Sequence, residues 1–573
     1  MNKKYTFSNF FILVLCFICL IPINTHAKFI EQIPIHTKAL SLANNVTAYP
    51  PGILSIHYNP AGLSQLSFGK TVSFGLNSSR IERNDKFSPN NEFYLLANNQ
   101  KYNSEYDPAS DAKNSRNDRR IYLPFSGQPL DLPLTLSPLP IGMSYRKKNS
   151  DWTFAYGLYT PYSWGYNNDS DDAARFQGKA SFQQHLIYFS PSFSYQVNKD
   201  LSLGFSCGLG QSSYGILTGL RMPSDQMART LRTRHFNYNG SIYTWQPLLT
   251  PFEKIADLDI KMKDHFSPSF NFGLLYQALD TLTVGLTYHS PTFRKLKGKY
   301  DIEYTKDFIG LVGIIQGNSE NIFEEQIEQM RNNGEDGSVI LNNYDYPQNV
   351  HIGFKYQPIE QLKFLVDLHW TNWSVIDQQK IEFDNEVQII KLYNILEHYQ
   401  NANNFPNNSI LIQKNFSDTI DWGLGVEYQV REYLALRLGY ERRSSGIDDN
   451  YFDLYSFPET NLIGAGFEMK LKNQVTFELG IGFLFCNDYE IPAEIDKTNS
   501  SNSTLINQNS LLVSTGSQNL NSNKTSLTSP YPGLNYELDL TAYFFSFNIT
   551  MPYEKFTDDV KDIGKSLAKY MPF

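Results

Sequence analysis

The 573-residue chain is poor in cysteine. It has four, and Cys16 and Cys19 fall in an apolar N-terminal stretch. Cys207 and Cys486 alone follow it, too few for a disulfide framework and without metal-ligand spacing. Whether those two pair is left open. After residue 27 no run of about 18 or more apolar residues occurs, so no membrane-spanning helix is expected. There is no Lys/Arg cluster, and the formal net charge is -9. Both argue against a nucleic-acid partner. The ten histidines are scattered, and no G-x-S-x-G elbow occurs. Neither a Ser/His/Asp triad nor a paired-carboxylate site is assembled. No catalytic residue, cofactor or metal site is therefore expected. No nucleotide motif appears, so any transport would be passive.

What the chain has instead is alternation. The first residues read as a secretory signal: Lys3 and Lys4, an apolar stretch from Phe10 to Ile23, then Thr25-His26-Ala27. Cleavage is expected after Ala27. Beyond it, apolar residues recur at every second position. Examples are Leu201, Leu203, Phe205, Cys207 and Leu209, or Leu362, Phe364, Val366, Leu368 and Trp370. Successive side chains on a strand point to opposite faces, so each such run has one apolar and one mixed face. About fourteen runs fit this pattern, and short connections alternate with long polar ones. An antiparallel transmembrane β-barrel is built that way, with turns at the periplasmic end and long loops outside. Closure removes strand edges that lipid could not satisfy. The expected fold is all-β: a 14-stranded antiparallel transmembrane barrel over 67–550, in the outer membrane of a Gram-negative bacterium. Outer-membrane lipid and the assembly machinery are then its partners.

Residues 28–66 are too many for a leader and too broken for a strand. A fourteen-strand barrel has a wide lumen unless something fills it. The segment is expected to fold inside as a plug, or hatch. HYNPAGLS, residues 57–64, becomes its rigid end, because Asn-Pro and Ala-Gly favour a fixed turn. Asn59, Pro60, Ala61 and Gly62 are the candidate hinge or latch. At the other end, residues 551–573 form a tail with Val560, Ile563, Leu567 and Tyr570 at helical spacing. It reads as an amphipathic periplasmic helix.

Four stretches carry a resemblance. They are Asn59-Pro60-Ala61-Gly62-Leu63; Leu282 to Pro291 with Leu296-Lys297-Gly298 after it; Trp370-Thr371-Asn372-Trp373-Ser374; and Trp422-Gly423-Leu424-Gly425 continuing to Leu436-Arg437-Leu438-Gly439-Tyr440. In this order on a fourteen-strand pattern, the chain resembles the FadL/TodX family of outer-membrane transporters. Departures are the Tyr49-Pro50-Pro51-Gly52 run in the plug and the tail beyond the last strand.

The resemblance implies uptake of long-chain fatty acids or similar hydrophobic molecules, a hatch gate, and lateral release at a kink in strand three. Gly157 and Pro161 are the residues there that weaken a strand. The alternative is a strand that ends at Pro161. An apolar groove over the mouth is expected from Phe236, Trp245, Phe252, Phe308, Ile309, Leu311 and Ile314. The same residues would equally serve as a loop-to-loop core. A ligand carboxylate needs a cation, and Arg294, Lys297 and Arg437 are the candidates. A polar-solute porin, a surface receptor or adhesin barrel, and an outer-membrane lipase or protease are the competing readings.

Overall fold

In the computed structural model the described residues are 33 and 35–570, apart from 98–99, 111–114, 117–119, 123–128, 132–134, 137–139, 224–226, 229–230, 232–233, 239–240, 246–248, 317–333, 343, 392–405, 415, 447–457, 472–473, 487–488, 493–530 and 532. The proposed signal peptide and most of the Ser/Asn-rich last loop lie outside them. A closed antiparallel barrel of fourteen staves dominates, some staves being interrupted. They are β1 (Gly69–Pro89), β2 (Ser115–Arg116, Thr135–Leu136 and Ile141–Arg146), β3 (Trp152–Asn167), β4 (Ala180–Phe189 and Ser192–Gln196) and β5 (Leu201–Leu220). Next come β6 (Ala256–Leu279), β7 (Leu282–His289 and Leu296–Tyr304), β8 (Glu335–Asn342 and Asn349–Ile359), β9 (Leu362–Thr371 and Gln378–Phe383) and β10 (Ser409–Gln413 and Thr419–Arg431). The last four are β11 (Leu434–Arg443), β12 (Thr460–Lys470), β13 (Thr476–Cys486 and Tyr489–Ile491) and β14 (Leu534–Pro552). Each stave pairs with its sequence neighbours, and β14 returns to β1 from Thr71↔Pro552 to Pro89↔Leu534.

Side-chain alternation sorts the two faces. Outward, Phe154, Phe272, Leu286, Leu438, Ile481 and Tyr543 are about half exposed, as a lipid belt requires. Inward, Asn77, Glu427, Arg437, Glu478 and Asn548 are buried. Those polar groups are buried because a chain fills the lumen. The staves also run further at the long-connection end than the alternation alone suggests; β6 begins at Ala256 and β7 resumes at Leu296. There the inward residues are apolar. Leu258, Ile260, Met262, Leu296, Tyr300, Ile302, Val339 and Leu341 form a core with loop residues inside the mouth. Cys207 and Cys486 are free thiols. After β14 a helix, Tyr553–Tyr570, folds back on the outer wall, where Phe556 meets Phe74 at 5.1 Å between ring centroids.

The outer end of the closing seam carries a fully buried ion pair. Arg83 Nε donates to both oxygens of Asp85 at 3.0 Å, and Arg83 Nη2 donates to Tyr536 Oη across the seam at 2.8 Å. Removing one partner of a buried pair strands the other charge, which costs about 3–5 kcal/mol. Asp85→Ala is expected to lower the temperature at which the folded barrel loses its fast electrophoretic mobility. Lys86→Gln, at an exposed pair with Glu537, is expected to leave it unchanged.

Candidate functional site

The plug is built from short elements, because only tight turns fit a lumen. It comprises α1 (Thr37–Ser41), a 3-10 turn (Gly52–Leu54), α2 (Ser55–Tyr58) and a second 3-10 turn (Pro60–Gln65). His36 caps α1; its Nδ1 accepts from Lys38 N at 3.0 Å. Burial outweighs the attraction of Glu478 and lowers the His36 pKa to about 4, so the ring is neutral and able to accept. Burial likewise lowers Lys38 to about 7; its Nζ stands 3.0 Å over the Tyr49 ring.

HYNPAGLS is a turn with a task. Asn59 Oδ1 accepts from Ala61 N at 3.1 Å and so fixes the turn that Pro60 starts. Its Nδ2 donates to Thr47 O at 2.9 Å within the plug and to Leu274 O of β6 at 3.1 Å. One fully buried side chain thus ties two plug segments to the wall. Gly62 is required by close approach: a Cβ there would lie 2.2 Å from Pro50 Cγ. That contact explains the Tyr49-Pro50-Pro51 run.

The wall is cleared of side chains where the plug rests. A Cβ on Gly204 or Gly273 would collide with Pro60 C or Asn59 Oδ1 at 2.1 Å; one on Gly439 with Leu42 C at 2.1 Å; one on Gly464 with Leu40 O at 1.9 Å. The remaining contacts are polar. Asn45 Nδ2 reaches Leu424 O and Tyr440 O, both at 3.1 Å. Thr47 N donates to Asp367 Oδ2 at 2.8 Å and Asn44 Nδ2 to Glu441 Oε2 at 2.9 Å. Asn271 Nδ2 and Thr287 Oγ1 hold Ile56 O and Tyr58 O.

Two charged or aromatic arrays lie behind this seat, and alternation alone did not single them out. Arg437 donates to Glu427 at 2.7 Å, Glu478 at 2.6 Å and also Glu468. Lys363 Nζ adds a 2.5 Å contact to Glu427. A row of imidazoles runs from the plug along the wall: His57 to His289 at 5.4 Å, His289 to His351 at 5.1 Å, His351 to His369 at 3.9 Å. His369 ends beside Asp367 and Glu441, the two carboxylates that hold the plug. No cluster with metal-ligand geometry occurs among the described residues.

The candidate residues now sort. Arg437 is not available to a ligand, since three wall carboxylates already enclose it. Lys297 is not either: its exposed side chain turns outward, opposite Lys263 of β6. Arg294 turns inward. Its guanidinium lies 3.6 Å over the Tyr346 ring, which stacks on Tyr162 at 3.7 Å, and its Nη2 donates to Tyr344 O. Nε and Nη1 are buried with no hydrogen-bond partner among the described residues.

The apolar loop residues whose side chains are described form a packed core. Phe252 and Phe308 are fully buried, and Leu311 and Ile309 nearly so. Phe236 and Trp245 sit on a hairpin, Arg234–Tyr238 with Ser241–Trp245, and Ile314 on a helix, Lys306–Gln316; their side chains lie outside the described residues. β3 does not end at Pro161 but runs on to Asn167. Its ladder to β4 is broken lower down. Gly157 N donates to Ser190 Oγ at 2.9 Å, and Ser190 Oγ donates back to Gly157 O at 2.6 Å. A Cβ on Gly157 would meet Ile56 Cδ1 of the plug at 2.2 Å.

The geometry defines a plugged fourteen-stranded outer-membrane barrel. The family model described as outer membrane protein transport protein (OMPP1/FadL/TodX) matches residues 27–521, and the chain belongs to that family of transporters of hydrophobic compounds, which are channels and not enzymes. Among curated proteins none matches the sequence. Solved structures share the fold at low identity. A Pseudomonas aeruginosa FadL homologue is 13% identical with a TM-score of 0.62, over 92% of this chain and 100% of that one. The toluene transporters TbuX of Ralstonia pickettii and TodX of P. putida are each 13% identical, with TM-scores of 0.53 and 0.54. The alignments cover 90% of this chain in both cases, and 97% and 98% of theirs.

Two predictions follow from the seat. Gly464→Val places a methyl group against Leu40 O and is expected to expel the plug's first half. Trypsin should then cut at Lys38 while the barrel stays heat-modifiable; a plug that remains protected would contradict the seat. The second concerns pH. The His36 pKa is lowered from its usual 6.5 to about 4, so an unseated plug binds the proton more readily. Through His36, seating weakens as pH falls from 6.5 towards 4. Lys38, lowered from 10.5 to about 7, weakens it on falling pH only above pH 7 and adds no further change below. Tryptic cleavage at Lys38 should rise between pH 7 and pH 5, and His36→Asn should flatten that rise.

Proposed function

We propose that the chain admits long-chain fatty acids, or hydrophobic molecules with a similar anionic head, by passive diffusion with lateral release into the membrane. The supporting observation is Arg294. A planar cation with two buried nitrogens, Nε and Nη1, unpaired among the described residues is costly unless an acceptor comes to it. A carboxylate matches that fork, and the aromatic and aliphatic core around it suits an acyl tail. Below, the β3–β4 ladder is interrupted at Gly157, where a serine side chain stands in for ladder bonds. Ile56 of the plug fills that place. A shift of the plug about Asn59 would draw Ile56 away and leave a lateral gap.

The test is uptake in Gram-negative cells that lack their own fatty-acid porin. Oleate uptake should exceed empty vector. It should fall when Asn59-Pro60-Ala61 is replaced by three glycines with the barrel still heat-modifiable. Arg294→Gln removes a charge-assisted contact, so oleate uptake at limiting concentration should fall roughly 10- to 100-fold, while toluene uptake stays within about twofold. Equal loss of both would make Arg294 structural. Toluene uptake without oleate uptake would assign an uncharged aromatic ligand.

A further inference from the structure

The outward face of β6 and β7 changes character along its length. From Leu279 up through Tyr276, Phe272 and Phe266 it is exposed and apolar, and Phe293 of the β7 interruption joins it at the top. Above Phe266 the outward side chains are charged, and the charges are sorted by sign. Lys263 faces Lys297 and Lys261 faces Lys299 directly across the strand pair; one step higher Asp259 faces Asp301 and Asp257 faces Glu303. Lys295 is exposed beside the lower tier.

Like charges directly opposite one another on a sheet are destabilising, and opposite charges would have been stabilising. The arrangement forgoes that gain twice. Nor do the flanking strands neutralise the lysines. β5 presents Ser213 and Gly215 opposite Lys263 and Lys261, and β8 presents Ile340 and Ser338 opposite Lys297 and Lys299. Asp259 pairs with Lys261 at 2.6 Å. The Asp264 carboxylate is taken by Phe266 N, Ser267 Oγ and Lys295 N. No carboxylate among the described residues pairs with the side chains of Lys263, Lys295, Lys297 or Lys299.

The height is set by the aromatics. Exposed Phe266 and Phe293 mark the rim of the apolar belt, and Lys263 lies three residues above Phe266, about 10 Å along the strand. That is the headgroup level of the outer leaflet. We propose that Lys261, Lys263, Lys295, Lys297 and Lys299 form a binding site for the phosphates of an anionic glycolipid in that leaflet. Its acyl chains lie along Phe266, Phe272 and Phe293. The acidic tier above repels phosphate and so limits how high the headgroup can sit. Lys263, Lys295, Lys297 and Lys299, with no carboxylate partner among the described residues, receive their counter-charge from the membrane.

The probe is diphosphoryl lipid A, added to the full-length barrel in nanodiscs of zwitterionic lipid and read by native mass spectrometry. The site is exposed, so Lys263→Gln with Lys297→Gln and Lys299→Gln should fold, which heat-modifiability checks. The triple variant is expected to bind lipid A roughly 100-fold more weakly. A control triple at the short-turn end, Lys147→Gln with Lys148→Gln and Lys199→Gln, should bind as the parent does. Dephosphorylated lipid A should bind the parent no better than lipid A binds the triple variant. Equal binding by parent and triple variant, or equal binding of the dephosphorylated lipid, overturns the proposal. Displacement by millimolar inorganic phosphate also overturns it, because a free-anion site would need no lipid.

Discussion

A backbone in hydrocarbon has no water to pair with, so every N–H and C=O must find a partner in the chain. The rest of this structure depends on that constraint. It forces β14 to return to β1 over the whole length from Thr71 to Pro89, and closure at fourteen staves encloses a lumen. The lumen wall is polar because its outward alternation is spent on lipid. A polar wall without occupant would be an open channel. The plug is thus a consequence of closure, and the glycines at 204, 273, 439 and 464 are how the wall makes room for it.

The contacts that hold the plug differ from those that hold the wall. Arg437 is satisfied by Glu427, Glu468 and Glu478, all on staves. If the first half of the plug moves, Arg437 keeps all three carboxylates and is not stranded. What the plug itself contributes is mainly neutral or singly charged hydrogen bonds from Asn44, Asn45, Thr47 and Asn59. Each is worth about 0.5–1.5 kcal/mol net. A plug held by many modest bonds against a self-satisfied wall can shift in part without the barrel losing its fold.

The architecture was readable because alternation is a backbone property. Fourteen runs, short turns and long loops sufficed to place the barrel, and the Asn-Pro-Ala-Gly turn sufficed to locate the plug's end. The glycine seat was visible only as motifs such as Gly464-Ala465-Gly466 and Gly480-Ile481-Gly482, whose meaning depends on what lies inside. The imidazole row was not readable at all. His57, His289, His351 and His369 are far apart in sequence, and register alone brings them together. The apolar loops read equally as a groove or a core because composition cannot tell a surface from a core.

Simple alternation could not sort the basic candidates, for a reason the strands themselves supply. In the lower part of β7 odd residues face inward, as Thr287 and His289 do against the plug. In the upper part Leu296, Tyr300 and Ile302 face inward, so even residues do. The interruption at 290–295 reverses the parity. β6 reverses at the same level, between Ser267 and Asp264 opposite the irregularity at Gly210/Ser212; Asn271 and Gly273 face the plug below it, and Met262 and Ile260 face the mouth core above it. Counting on from His289 without the reversal would aim Lys297 into the lumen and Arg294 at lipid. With it, Arg294 enters the mouth over Tyr346, and Lys297 joins Lys261, Lys263 and Lys299 outside. One irregularity shared by two neighbouring staves thus separates the cation that turns into the mouth from the cations that face outward.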